Sequence, residues 1–162
     1  MTHSPVPLTL APLRSEDLEF LRLLRNSCRE QFFDTREINA PQQARWFAAL
    51  PSDHRHFIIW SESLRAGAFS IIPPKPDLPL PTVPQNIDKP VRYLNSLMVI
   101  PEMRGREVIE TATSVFDPLL SYVGYVRQGN PASLKACAKM GLLDRGIHQH
   151  PQYGPIHIVW RD

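Results

Sequence analysis

The sequence predicts an α/β (α+β) chain, a mixed and mostly antiparallel sheet flanked by helices, and three observations carry that reading. Apolar-rich runs at residues 8–13, 56–61, 66–72, 91–100, 121–127 and 157–160 mark strands, the first and fourth of them read as alternating. Residues 130–142 spell a short helix with both ends specified. A further helical segment stands between the runs at 91–100 and 121–127. That order makes the two runs parallel neighbours, because a helical crossover joins parallel strands.

The first strand, 8–13, is ended by Arg14. Ser15 then caps a helix with Glu16 and Asp17 in its first turn and Leu18, Leu21, Leu23, Leu24 and Cys28 as the apolar stripe. Asn39-Ala-Pro41 opens a second helix that turns Trp46, Phe47 and Leu50 to the core and stops at Pro51. The runs at 56–61 and 66–72, separated by residues 62–65, read as an antiparallel hairpin. Seven prolines within 73–90 exclude a helix or a central strand there. The segment reads as a rigid, extended surface excursion, with a Pro-x-x-Pro ligand for another protein and a lid over a pocket as the other readings.

Residues 91–100 form the central strand, with Tyr93, Asn95, Leu97 and Val99 on one face. A helix starts near Arg106 and is cut short by Asp117-Pro118. In the best-specified helix, Asn130 is the N-cap and Pro131 occupies the position where a missing N–H costs nothing. Lys139 faces the C-terminal dipole, and Gly141 supplies the left-handed residue of a Schellman turn followed by Leu142. Residues 145–150 and 157–160 close a last hairpin around the turn 151–155.

With 162 residues, 43% of them hydrophobic, the chain fits one domain over 1–162 that buries its core without disulfides or metals. Eighteen Lys and Arg against sixteen Asp and Glu leave a net charge of +2, and the sequence pI is near 8.7. That balance gives no broad electrostatic reason to bind nucleic acid or an anionic membrane. Cys28 and Cys137 fall on apolar helix faces, where a thiol acts as a small hydrophobe. No run approaches the ~20 apolar residues of a membrane span and no basic leader opens the chain, so the cytoplasm is the expected compartment. His148, His150 and His157 invite a metal reading, but with no carboxylate or cysteine at hand they read as surface strand residues, and no metal is expected.

The loop Pro101-Glu-Met-Arg104-Gly105-Arg106 after a strand, followed by the Asn130-x-x-Ser133 helix ending in Lys139-x-Gly141, resembles the GNAT-type N-acetyltransferases over roughly residues 8–160. The resemblance implies central strands that splay apart, with the backbone of Leu97 and Val99 bonding the pantetheine arm of acetyl-CoA. It assigns the pyrophosphate to Arg104, Gly105, Arg106, Glu107, Val108 and Ile109, and places Asn130 and Ser133 beside the same cosubstrate. It also makes the segment 73–90 an insertion. Two residues depart from the pattern. Glu107 puts a carboxylate where the phosphate charge would lie, and Ile109 puts a branched side chain where the backbone should approach closely.

Acetyl transfer asks for a base near the attacking amine and an acid near the leaving thiolate. Many relatives place a tyrosine acid where this chain has Cys137, so the catalytic candidates are Cys137, Tyr125 and Glu102, with Tyr93 and Tyr122 read as packing or rim residues. Two functions follow from the resemblance. One is transfer of an acetyl or other acyl group from CoA to a primary amine of a small molecule, amino sugar or peptide, to which Arg25-Asn26 and Gln43-x-x-Trp46-Phe47 point. The other is a binding or assembly module of the same fold that has lost acetyl-CoA. A homodimer stays open.

Overall fold

A computed structural model describes residues 7–79, 89–105 and 107–162. In chain order its elements are β1 (Leu8–Pro12), α1 (Leu18–Ser27), α2 (Ala40–Ala48), β2 (Arg55–Ser61), β3 (Leu64–Ile72), β4 (Val91–Val99), α3 (Val108–Thr113), β5 (Ser121–Arg127), α4 (Pro131–Lys139), β6 (Leu143–His150) and β7 (Gly154–Arg161). Among the described residues they form one sheet of order β1-β2-β3-β4-β5-β7-β6, antiparallel at every pairing except β4 with β5. The mixed, mostly antiparallel sheet flanked by helices is therefore the observed architecture.

Side-chain caps fix where α2 and α4 begin. Asn39 and Gln42 form a reciprocal capping box at α2, each side chain accepting from the other's backbone N–H at 2.9 Å. Asn130 Oδ1 accepts from the Ser133 N–H at 3.1 Å, and α4 closes with Leu142 N–H on the Cys137 carbonyl (2.9 Å) and Gly141 N–H on that of Ala138 (3.0 Å). With Gly141 at φ 81°, that is the Schellman turn the sequence predicts.

The start of α1 differs. Residues 15–17 make a 3₁₀ turn, and the acceptor at the helix start is Asp17, not Ser15. The buried Asp17 carboxylate takes the Arg14 N–H at 3.0 Å and Arg65 Nε at 2.7 Å, a stronger offer than a serine hydroxyl makes. Leu23 is 54% exposed, since at 100° per residue it cannot share the face of Leu24. On α2 the buried side chain is Gln43, while Trp46 lies on the surface, edge-on to His56.

β4 breaks its own alternation. Ala68 pairs with Met98 but Ser70 pairs with Asn95, so Ser96 and Leu97 together oppose Phe69, and Ser96 takes φ 60°. This bulge inserts one residue and flips the parity downstream. Tyr93 packs with Val123 and Trp160 on one face, whereas Leu97 and Val99 join Leu94 on the other, beneath α3 and α4. Tyr93, Asn95, Leu97 and Val99 consequently do not share a face.

Of the proline-rich segment 73–90, residues 73–79 and 89–90 are described, and the part of that expectation that falls on residues 80–88 lies outside the described residues. The described part is not a mere surface excursion. Leu78, its one large apolar side chain, is 5% exposed and packs with Ile72, Tyr93 and Trp160. In the last hairpin His157 Nδ1 meets an Asp144 carboxylate oxygen at 2.9 Å, which corrects the expectation that no carboxylate accompanies these histidines. His150 is stacked on Tyr153 with ring centroids 4.4 Å apart.

Candidate functional site

β4 and β5 pair only through Val91–Tyr93 and Ser121–Val123. Past Tyr93 and Val123 the strands diverge, and a cavity of 640 Å³ opens between their facing edges. One bank carries the β4–α3 loop and α4. The other carries the segment linking α1 to α2, the turn before β7 and residues 75–78.

Ten of the candidate catalytic and cosubstrate residues meet around this cavity: Leu97, Val99, Arg104, Gly105, Val108, Ile109, Tyr125, Asn130, Ser133 and Cys137. Glu102 does not, being exposed in a 3₁₀ turn over Pro101–Met103. Glu107 faces elsewhere too, lining a shallow groove with Leu8, Thr9 and Leu10 of β1. Its carboxylate thus stands apart from the cavity wall. Arg106 lies outside the described residues. Among the described residues no three His, Cys, Asp or Glu side chains gather as a metal site, and no helix is long and apolar enough to cross a membrane.

Burial governs the titratable groups of the site. It pushes the Cys137 thiol up to about 11 and also raises Cys28. It pushes Tyr125 up to about 12, and the Tyr125 hydroxyl donates to the Pro79 carbonyl at 2.9 Å, tying the proline-rich segment across this end of the cavity. Tyr93, edge-on to Tyr125 at 5.1 Å between centroids, is raised by burial as well and carries the Lys75 ammonium 5.8 Å from its ring. The carboxylates on the wall are Asp34 and Asp77. Arg36 holds Asp34 well below the usual carboxylate range, mainly through its side-chain hydrogen bonds.

The structure gives Arg25 and Asn26 a different task from acceptor recognition. The Arg25 guanidinium donates to the carbonyls of Asp34 and Arg36, and Asn26 exchanges two hydrogen bonds with the Ile38 backbone at 2.8 and 2.9 Å. From β5, Arg127 donates to the Phe32 carbonyl at 3.0 Å. These side chains suspend residues 29–38 over the cavity and satisfy backbone groups that have no helix or strand to serve them. The segment brings in Phe33, stacked on Tyr153 at 4.7 Å, and Asp34. Neither that wall nor Asp77 was visible in the sequence. A patternless stretch of about ten residues between two capped helices was the available signal.

No family model and no curated protein matches the chain. Solved structures do. The spermidine N-acetyltransferase of Vibrio cholerae in complex with CoA and spermine aligns with a TM-score of 0.69 at 15% identity, covering 95% of this chain and 94% of that one. A phosphinothricin N-acetyltransferase described as putative in its structure aligns at 0.69 and 18% identity over 96% and 98%. The aminoglycoside acetyltransferase AAC(6')-Ib with coenzyme A and kanamycin reaches 0.74 at 15% identity over 96% and 94%. A seven-stranded sheet opened between its two parallel strands, with the β4–α3 loop and α4 on one bank of the opening, gives this chain the fold of the GNAT-type N-acetyltransferases.

Proposed function

We propose that the chain, working as one domain, is an N-acyltransferase that passes an acetyl or other acyl group from CoA to a small-molecule amine. The observation that carries the reading is the opening between β4 and β5. Strand edges that stop pairing inside a wall leave N–H and C=O groups in want of partners. An extended arm containing amides supplies them, in the manner of an added strand. Leu97, in the bulge, and Val99 after it line the cavity from that edge, and Asn130 and Ser133 line it from the start of α4. Spermine and kanamycin, bound by two of the similar proteins, are small amines. The acyl-CoA would supply an activated thioester, and everything else asked of the protein is binding, orientation and proton handling.

The amine's end of the cavity is the one walled by Phe33, Asp34, Asp77, Tyr125 and Tyr153. Asp77, which has no ion pair among the described residues, attracts an ammonium and accepts its proton through water, while the rings cover the apolar part of the substrate. Neither Cys137 nor Tyr125 is set up as an acid. The thiol is packed in the core, the phenol is committed to Pro79, and water is left to protonate the leaving sulfur. Calorimetric titration with acetyl-CoA, followed by a thiol-release assay with spermine and kanamycin as probes, tests the proposal. Binding with amine-dependent thiol release supports it. Ile109 on the cavity wall favours the alternative of a non-catalytic module, for which acetyl-CoA would show no binding.

A further inference from the structure

The amine's end of the cavity holds an amine of the chain itself. Lys75 stands between Pro74 and Pro76, which narrow its backbone freedom, and it opens a turn closed by the Leu78 N–H on the Lys75 carbonyl at 3.1 Å. The turn is pinned at three further points. Leu78 is buried, the Tyr125 hydroxyl donates to the Pro79 carbonyl at 2.9 Å, and His150 Nε2 meets the Asp77 carbonyl oxygen at 3.2 Å. Held in this way, Lys75 lines the cavity and lays its ammonium 5.8 Å from the centre of the Tyr93 ring, although Tyr93 is only 4% exposed. Lys135 and Lys139 line the same cavity from α4, on the other bank. Tyr93 is the last residue of β4 to pair with β5, so the Lys75 ammonium lies close to the vertex from which the two strands part. The charged phosphates of an acyl-CoA need the wide, wetter end of such an opening, and this sends the thioester at the tip of the arm towards the vertex.

We propose that Lys75 is a modification site of the chain's own chemistry, its Nζ taking the acyl group from the CoA bound in the same molecule. The inference rests on the acyltransferase reading and adds an internal acceptor to it. Lys75 first gives a proton to water, and its lone pair then forms the N–C bond with the thioester carbonyl carbon. The C–S bond breaks with its electron pair on sulfur, the nitrogen gives a second proton to water, and the sulfur takes one up to leave as the CoA thiol. The products are an Nε-acyl-lysine and CoA. A tethered amine has an effective concentration on the order of millimolar or more, enough to compete with free amines. Acylation also removes a positive charge that an incoming ammonium would meet at this end of the cavity.

The test incubates the chain with acetyl-CoA and no added amine, and follows intact mass and a peptide map covering Lys75, Lys89, Lys135 and Lys139. The expected result is one acetyl group, on Lys75, appearing at least about tenfold faster than on Lys135 or Lys139. Its rate constant should not change when the protein is diluted at saturating acetyl-CoA, and spermine should slow it. Lys75→Arg, an exposed position at which the cation is kept, should lose the label. Equal labelling of Lys75, Lys135 and Lys139 overturns the assignment, since it marks reaction in free solution. A rate constant that rises with protein concentration overturns it too, because transfer would then pass between molecules. So does an unlabelled Lys75 in a chain that binds acetyl-CoA and releases thiol with spermine. A chain that binds no acetyl-CoA instead sinks the acyltransferase reading, and the internal acceptor with it.

Discussion

Asn130 is a cap whose geometry is on view, and its substitutions separate helix stability from ligand contact. Asn130→Ala is expected to cost ~1 kcal/mol in urea unfolding, and Asn130→Asp almost nothing, because aspartate accepts the Ser133 N–H equally well. If Asn130 also holds the pantetheine arm, the Asp variant keeps its stability and loses CoA affinity. Full retention of both reduces it to a cap. Glu107 leads to the opposite expectation from the one its position in the loop suggests. Because Glu107 is exposed and lines a separate groove, Glu107→Gln should change CoA affinity by less than about twofold, since an exposed charge outside the cavity is screened. Cys137, buried among apolar neighbours, should resist iodoacetamide at pH 8, where its thiol stays protonated. The caps of α4 were legible because every partner lies within a few residues. The role of Asp17 was not, because Arg65 is 48 residues away.

At the scale of elements, the apolar runs and the last hairpin correspond to the seven strands, and the two central strands were identified as parallel from the helix between them. The bulge in β4 was hidden. Residues 91–100 read as one unbroken strand in sequence, and the parity flip appears only when Phe69 is set opposite both Ser96 and Leu97. Across the same ladder, Gly67 leaves no room for a side chain, since a Cβ there would run into the Met98 carbonyl oxygen. Gly67→Ala should therefore lower stability by on the order of 2 kcal/mol and displace the edge that Val99 presents to the cavity. A variant with unchanged unfolding midpoint and unchanged CoA affinity would show that the bulged strand yields at no cost. The proline-rich segment was legible as neither helix nor strand, but its use of Leu78 as a plug depends on a gap made by residues from four strands.

For the whole molecule, acid is the condition that should loosen it. His56 bonds Ser70 Oγ through Nδ1 at 2.7 Å, and its buried Nε2 has no partner in the structure. Burial, with His54 beside it, pushes its pKa down to about 4. Unfolded, the same imidazole titrates near 6.5. The folded state thus binds fewer protons than the unfolded state between these values, so this contribution is present above pH 6.5 and lost as the pH falls towards 4. His56→Gln, which keeps a partner for Ser70, should flatten stability against pH over that window. A wild-type profile level from pH 7 to 4 would contradict the assignment.

The three-residue seam between β4 and β5 has a mechanical consequence. It joins a half-sheet of β1 to β4 to a half-sheet of β5 to β7 through one short ladder, so beyond it no backbone pairing ties the facing edges of β4 and β5 together. A ligand laid along both facing edges would act as a splint. Amide exchange in Leu94 and in Gly124, just beyond the seam, should then slow on adding CoA more than exchange in the β2–β3 hairpin, and melting temperature should climb with the logarithm of ligand concentration.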